Sequence, residues 1–248
     1  MNKRIVSILL SVIAFFVFAN TVSAQGLSLN MNLGDGQEGQ DVGTAIQILL
    51  LMTLLTLGPS IVVMMTSFTR IIIVLGFVRT ALGVNQAPAN QLIVGLSLII
   101  TFFIMQPVLN DVNTNALEPM FAKEITTQEA FERGSGPLKD FMLKQTKISD
   151  VEFFLDLSGM GPTAESMIPM RVVVPAFVLS EIRTAFQMGF LIFLPFILID
   201  FLVGTTLMAM GMMMMPPVII SLPFKLLLFV LVDGWALIIK SLVQSFNL

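Results

Sequence analysis

A run of methionines has the most distinctive side-chain chemistry in this sequence. The run reads Met208-Ala-Met-Gly-Met-Met-Met-Met-Pro-Pro217, and no charged residue lies between Phe201 and Phe224. Methionine is flexible and polarizable, so a group of methionines forms an apolar surface that repacks around different shapes; its thioether is also a soft ligand that suits Cu(I). The run is therefore an apolar seal, a copper site, or ordinary packing at a helix end. The methionines concerned are Met208, Met210, Met212, Met213, Met214 and Met215.

The remaining composition weakens the copper interpretation. The sequence contains no Cys and no His, the residues that usually share such sites, and four consecutive methionines cannot all point to one side of a helix. The same composition argues against thiolate and histidine metal sites and against histidine acid–base chemistry. Nucleophile-elbow, phosphate-loop and zinc-protease motifs do not occur in the sequence. We therefore expect no enzymatic activity and no cofactor.

Isolated charges beside apolar segments are the second group of candidates. Asp200 follows sixteen uncharged residues, and a carboxylate at membrane depth needs a polar cavity or a cationic partner. Lys225 is the expected partner, within one subunit or between subunits; a proton relay is the less favoured alternative. Glu181 and Arg183 stand just before the apolar segment. We expect them to form inter-subunit ion pairs, or else a solvated helix start at which Glu181 complements the helix dipole.

Three phenylalanines lie among charged residues in the middle of the sequence. Aromatic side chains exposed in such surroundings often anchor contacts between subunits. The alternative is a small private core for this region, because small cores must be strongly apolar. The residues are Phe141, Phe153 and Phe154.

The elements that would position these residues are those of an integral membrane protein. The chain is 56% hydrophobic and 12% charged, against about 25% charged in soluble domains. A formal charge of −3 argues against a nucleic-acid partner. No convincing strand alternation occurs, so we predict an all-α integral membrane fold, with two long bent hydrophobic helical hairpins separated by a small soluble helical insert.

Hydropathy divides the chain into five segments. A positive start, an apolar core and Val22-Ser-Ala24 are typical of a cleavable signal peptide at 1–24. A flexible polar segment, the first hairpin, the insert and the second hairpin follow at 25–43, 44–109, 110–183 and 184–248. The simplest topology has four spans, with Arg70 and Arg79 on the cytoplasmic side and the insert in the periplasm.

Local signals predict helix ends within these segments. Thr126-Thr-Gln-Glu129 resembles a capping box, and the segments Gly134–Pro137 and Gly159–Pro162 predict breaks between short helices. Gly58-Pro59, Pro107 and Pro195 predict interruptions of the apolar segments. Gly211 and Pro216-Pro217 place the methionine run on a bend between two hydrophobic helices.

The sequence also resembles one family closely. The shared motifs are Pro175-Ala-Phe-Val-Leu-Ser-Glu181-Ile with Gly189, Pro195-Phe-Ile-Leu-Ile-Asp200, the run from Met208 to Pro217, Leu222-Pro-Phe-Lys225 and Val232-Asp-Gly-Trp235. In order and spacing they are similar to the FliP proteins of the bacterial flagellar export gate, which are related to the SctR subunits of virulence type III secretion. The similarity extends from about Ala45 to Phe246.

This resemblance implies a particular assembly and location. About five copies would join FliQ, FliR and FlhB in the flagellar basal body of the bacterial inner membrane, around a channel for unfolded flagellar proteins. The methionine run would be a gasket at the narrowest point. Family members assemble into a helical tower lifted largely out of the bilayer plane, so the resemblance replaces the four-span topology with one in which apolar length measures burial.

Overall fold

The computed structural model describes residues 38–84, 88–212 and 215–246. The predicted signal peptide, residues 25–37 of the polar segment, and Met213 and Met214 lie outside these residues. The chain divides into two compact units, 1–53 and 54–248. In the first unit the described residues are helical, so 38–43 begin a helix where the sequence predicted a flexible segment.

Every regular element in the described residues is helical, which confirms the all-α prediction. Between α3 and α4 the chain forms one π-helical segment at Asn113–Leu117, and a short 3₁₀ helix at Glu165–Met167 precedes α7. The α-helices are α1 (Glu38–Met64), α2 (Phe68–Ala81), α3 (Asn90–Val112), α4 (Glu118–Phe121), α5 (Thr127–Gln145), α6 (Ile148–Leu157), α7 (Met170–Ala209), α8 (Pro217–Leu231) and α9 (Gly234–Gln244).

The core of the second unit forms where α2 packs along α7. Apolar residues of α2 recur at the three- and four-residue spacing of one helix face, and all of them are buried. The buried stripe of α7 has the same spacing but includes polar residues and a glycine. The α2 residues are Ile71, Val74, Leu75 and Val78, and those of α7 are Val173, Ala176, Phe177, Ser180, Glu181, Ala185 and Gly189.

Gly189 allows close contact between these two helices. A Cβ atom at this position would lie 2.6 Å from Cγ of Phe77, so a larger residue overlaps the ring. The Phe77 ring also packs edge-on against Phe186 and Phe193, with centroid separations of 5.1 and 6.1 Å. The glycine predicted as part of a family motif therefore has a local packing role.

The predicted insert contains α5 and α6, which pack on α7, and α5 also packs on α3. The capping box is confirmed: the Thr126 hydroxyl accepts the Glu129 N–H at 3.3 Å, and the Glu129 carboxylate accepts the Thr126 N–H at 2.9 Å. The break predicted at Gly134–Pro137 is wrong, because α5 continues through it. Gly134 is instead a contact point, where a Cβ would lie 3.3 Å from Cβ of Ala116.

The predicted proline interruptions differ from the observed bends. Helices α1, α3 and α7 continue through Pro59, Pro107 and Pro195. Proline removes one backbone donor, and a helix with good packing tolerates that loss. The boundary expected at 183/184 also lies within α7, so the division into insert and hairpin is not marked by a helix end and stays a prediction.

Two continuous helical segments are long and apolar enough to cross a membrane. They are Asn90–Phe121, with 32 residues, and Met170–Ala209, with 40. Two bent pairs also qualify when each is taken together: Ile48–Met64 with Phe68–Ala81, and Pro217–Leu231 with Gly234–Gln244, the latter bent by 63°. By length and composition, the described residues allow two to four spans.

Candidate functional site

The methionine run lies on the bend between α7 and α8, as the sequence predicted. Helix α7 ends in a Schellman motif, in which Gly211 N–H donates to Met208 O at 3.0 Å and Met212 N–H donates to Leu207 O at 2.9 Å. Gly211 has φ of +76°, which glycine adopts without steric cost. Pro217 then starts α8 at a position where a missing N–H costs nothing. We call residues 208–217 the Met bend.

The four methionine side chains of the Met bend that the structure describes are exposed in this chain. The exposed fractions of Met208, Met210, Met212 and Met215 are 63, 68, 39 and 41%. These side chains do not fill the core of their own subunit, which disfavours the interpretation that they are ordinary core packing. They present a flexible apolar surface at the tip of the α7–α8 hairpin.

A polar cluster joins α7 to α8 below the Met bend. Lys225 Nζ lies 2.6 Å from Asp200 Oδ2, and the Ser221 hydroxyl donates to Asp200 Oδ1. The Lys225 side chain is 5% exposed and that of Asp200 is 34% exposed. The structure thus brings together the two residues that the sequence paired, within one chain, and adds Ser221. We call these three residues the Asp200 clamp.

Apolar contacts support the same hairpin on either side of the clamp. Near the Met bend, Gly204 leaves room for Pro217, whose ring atoms would lie 3.8 Å from a Cβ at position 204. Farther from the bend, the rings of Phe196 and Phe229 pack at a centroid distance of 6.4 Å, and Trp235 contacts Phe229 edge-on at 5.3 Å. The hairpin is therefore held by one charged cluster between two apolar contacts.

A second buried cluster surrounds Arg70 on α2. Arg70 Nε donates to Glu181 Oε2 at 2.9 Å, and its Nη2 contacts Glu181 Oε1. Its Nη1 donates to the backbone oxygen and the hydroxyl of Ser245, at 2.9 and 3.0 Å. The guanidinium lies 4.0 Å from the centroid of the Phe246 ring. We call these four residues the Arg70 cluster.

The Arg70 cluster changes the interpretation of Glu181. The Glu181 and Arg70 residues are 0 and 2% exposed, and Glu181 is twelve residues into α7. Its predicted alternative, a solvated helix start, is wrong because the helix begins at Met170. Both carboxylate oxygens already contact Arg70 of the same chain, so a role of Glu181 in assembly stays a prediction that this single chain does not test.

The remaining predicted residues lie where α5 and α6 meet α7. Arg183 Nη1 lies 2.8 Å from the buried carboxylate of Asp150 on α6. Phe141 is buried against Phe177 at 6.0 Å, which fits the alternative of a small core and not an exposed contact between subunits. Phe153 is exposed and packs edge-on with the half-buried Phe154 at 5.2 Å. The last pair is the one that remains available for contact with another subunit.

Sequence reasoning did not find Ser221, Ser245, Phe246 or the role of Arg70. One signal was present for Arg70, because Arg70 and Arg79 are the only charged residues between Asp41 and Asp111. A lone arginine in apolar sequence needs a partner. The partner Glu181 is 111 residues away, and no local pattern indicates such a pair.

The described residues do not form a site of carboxylate, thiolate or imidazole ligands for a metal ion. No group of three or more His, Cys, Asp or Glu lies close enough in this part of the chain to hold an ion. Thioethers are not part of that criterion, so the copper interpretation rests on the methionines alone.

Comparison with known proteins gives a consistent result. A profile described as the FliP family matches residues 51–242. The chain is 48% identical over 217 residues to flagellar biosynthetic protein FliP of Bacillus subtilis (strain 168), covering 87% of this chain and 98% of that protein. It is 53% identical over 212 residues to the protein of the same name from Pectobacterium carotovorum subsp. carotovorum, covering 84% and 81%.

A third relative extends the similarity to the full length of both proteins. Flagellar biosynthetic protein FliP of Aquifex aeolicus (strain VF5) is 43% identical over 250 residues, covering 100% of each chain. The matched regions include α2, α7, α8 and the Met bend, which hold both buried ion pairs. By these matches, the chain belongs to the FliP family.

Proposed function

We propose that this chain is a core subunit of the flagellar type III protein export gate in the bacterial inner membrane. Several copies, about five by resemblance to the family, surround a channel through which unfolded flagellar proteins pass. The Met bend of each copy contributes to a gasket that closes the channel. The observation that carries this proposal is the exposure of four thioether side chains on a bend whose backbone is fixed by a Schellman motif.

The physical mechanism of the gasket is adaptable packing. A ring of thioethers excludes water and ions when closed, because apolar constrictions of this kind lose their water. An unfolded chain displaces flexible methionines with little sequence preference, because the side chains repack around each residue that passes. This combination suits a conduit for many substrates.

The large apolar surface of the chain supports an assembly. Only 17% of the most apolar segment of α7 is buried within this chain. Lipid or neighbouring subunits must cover the remainder, and exposed Phe153 extends the available surface to the periplasmic insert. We propose further copies of this chain, together with FliQ, FliR and FlhB, as the covering partners.

The proposal assigns no catalysis to this chain. Its sequence carries none of the nucleotide-binding or nucleophile motifs considered above, so the energy for export comes from elsewhere in the apparatus. The charges of the Asp200 clamp are paired with each other, which favours a structural role over a proton relay.

The test compares two substitutions at the same methionines. In reconstituted assemblies, Met210→Ala and Met212→Ala should raise basal ion conductance, whereas Met210→Leu and Met212→Leu should leak less, because leucine keeps most of the apolar volume. Flagellin export in cells is measured in parallel. Met167→Ala is the matched control, since Met167 is 74% exposed, close to the 68% of Met210, but lies outside the Met bend.

The outcomes separate three functions. A copper transporter would bind Cu(I) stoichiometrically and lose transport in the leucine variants. A scaffold without a conduit would show unchanged conductance and export in the alanine variants. Wild-type conductance in the alanine variants with normal export refutes the gasket.

A further inference from the structure

The Asp200 clamp has a position in the hairpin that its electrostatics alone do not explain. Asp200 lies nine residues before the end of α7, and Ser221 lies four residues after the start of α8. At 1.5 Å per residue these distances are about 14 Å and about 6 Å along the two helices. The clamp therefore holds α7 and α8 together within about two and a half turns of the Met bend.

Within the described parts of α7 and α8, the side-chain hydrogen bonds between the two helices all involve Asp200. Ser221 and Lys225 approach different oxygens of the same carboxylate, so the two bonds fix both the spacing and the relative rotation of the helices. The other contacts between these helices are apolar and less directional, such as that of Phe196 with Phe229. The clamp supplies the directional constraint.

Lys225 is enclosed from a second side. The turn after α2 places Gly83, with φ of +75°, beside the ammonium group, and a Cβ at Gly83 would lie 4.0 Å from Lys225 Nζ. The Lys225 side chain is 5% exposed. The groups around it therefore leave no space for the ammonium to move away from Asp200. A cation held in this way defines one position for α8 relative to α7.

We propose that Asp200, Ser221 and Lys225 are positioning residues for the Met bend. They set the angle and register at which the α7–α8 hairpin presents its methionines to the channel axis. This inference rests on the proposed function, because a position matters only if the Met bend closes a conduit. It goes further by assigning the closed geometry to a polar cluster that includes none of the gasket methionines.

A purely structural pair and a positioning clamp respond differently to paired substitutions. Removing Asp200 leaves the ammonium of Lys225, whose side chain is 5% exposed, without a counter-charge, so Asp200→Leu alone should impair assembly in either case. Replacing both charges by apolar residues, as in Asp200→Leu with Lys225→Met, removes that penalty and should restore assembly. Such a pair has no directional hydrogen bonds, so the hairpin angle is no longer fixed. The charge exchange Asp200→Lys with Lys225→Asp restores a directional bond.

The experiment measures assembly, hairpin geometry and basal conductance in the same reconstituted particles. Because the sequence has no cysteine, Leu202→Cys with Ile219→Cys provides two exposed spin-label sites flanking the Met bend. We expect the apolar double variant to assemble normally, with a broadened label distance and a several-fold rise in conductance. The charge exchange should return both to near wild type. Lys240→Met, at an exposed lysine of α9, is the control and should change neither.

Several results would overturn the inference. An assembled apolar double variant with wild-type label distances and conductance makes the clamp purely structural. A charge exchange that assembles but leaks as much as the apolar variant has the same meaning. Leak in Met210→Ala but not in the apolar double variant overturns the inference alone. If neither leaks, the gasket is wrong and the inference falls with it.

Discussion

The Arg70 cluster gives an ordered prediction for single and double substitutions. Removing one partner of a buried ion pair costs about 3–5 kcal/mol, because the other charge is left without compensation. The two partners are not equivalent here. In Glu181→Leu, Arg70 keeps the two Ser245 oxygens and the Phe246 ring. In Arg70→Met, the Glu181 carboxylate loses the only partner that the structure gives it, and it is fully buried.

We therefore expect Arg70→Met to destabilise the chain more than Glu181→Leu does. The values should lie near the upper and lower ends of that range, about 5 and about 3 kcal/mol. The double variant removes both charges but leaves the Ser245 oxygens without a donor, at a cost of about 1–3 kcal/mol. The double variant should thus be more stable than either single variant, with a coupling energy of about 5–7 kcal/mol.

The assay is reversible unfolding of the purified chain in detergent micelles, followed by the fluorescence of Trp235, which is the single tryptophan. Arg79→Met is the matched control, because it is the same substitution on the same helix at a half-buried position. A smaller loss of stability for Arg70→Met than for Glu181→Leu, or additive single effects, would refute the reasoning.

We also expect Glu181→Ala to weaken oligomer assembly, and an intact ring on native gels would contradict this.

Three further substitutions test local features. Gly189→Val should destabilise the chain by about 1–3 kcal/mol because the valine side chain overlaps the Phe77 ring. A denaturation midpoint equal to wild type would contradict this. Gly211→Ala should cost about 1–3 kcal/mol because φ is +76° there, and it should raise basal conductance by distorting the Met bend; unchanged values of both would argue against this. Thr126→Ala should cost about 1 kcal/mol by removing the capping bond to Glu129. Hydrogen bonds from the Thr126 N–H and hydroxyl, with the charge of Arg133, lower the pKa of Glu129. The ionised Glu129 carboxylate therefore stabilises the folded chain fully above its unfolded pKa, and this contribution is lost as pH falls through its lower folded pKa. Unfolding curves measured across that range should show the loss of stability.

The features that sequence reasoning predicted are those with local causes. Gly211 and Pro217 fix the bend through their own backbone restrictions, and the capping box of Thr126 and Glu129 spans four residues. The pairing of Asp200 with Lys225 followed from a rule about charges in apolar surroundings, which needs no knowledge of the fold. In each of these cases the information lies within a few turns of one hairpin or one helix end.

The features that it missed depend on contacts between distant segments. Hydropathy placed a boundary at 183/184 because Glu181 and Arg183 are charged, yet α7 passes through without a break, since Glu181 is neutralised by Arg70 from α2. Gly134 was interpreted as a helix break because glycine is common in turns. Its actual role, close contact with Ala116, depends on how α5 packs against the π-helical segment.

The continuity of α7 gives the charged residues a common mechanical meaning. Its 40 residues extend about 60 Å at 1.5 Å per residue. Along this length three ion pairs tie it to three different helices: Arg183 to α6, Glu181 to α2 and Asp200 to α8. Because one helix bears all three pairs and ends in the Met bend, a shift of the insert relative to the core must either strain a pair or move the methionines.

Loss of the Asp150–Arg183 pair should therefore affect conductance less than loss of the Asp200 clamp. The clamp is nearer to the Met bend, and its cation Lys225 is 5% exposed, whereas Arg183 is 45% exposed. Comparing Arg183→Met with the apolar double variant of the clamp tests this order, and a larger leak from Arg183→Met would contradict it.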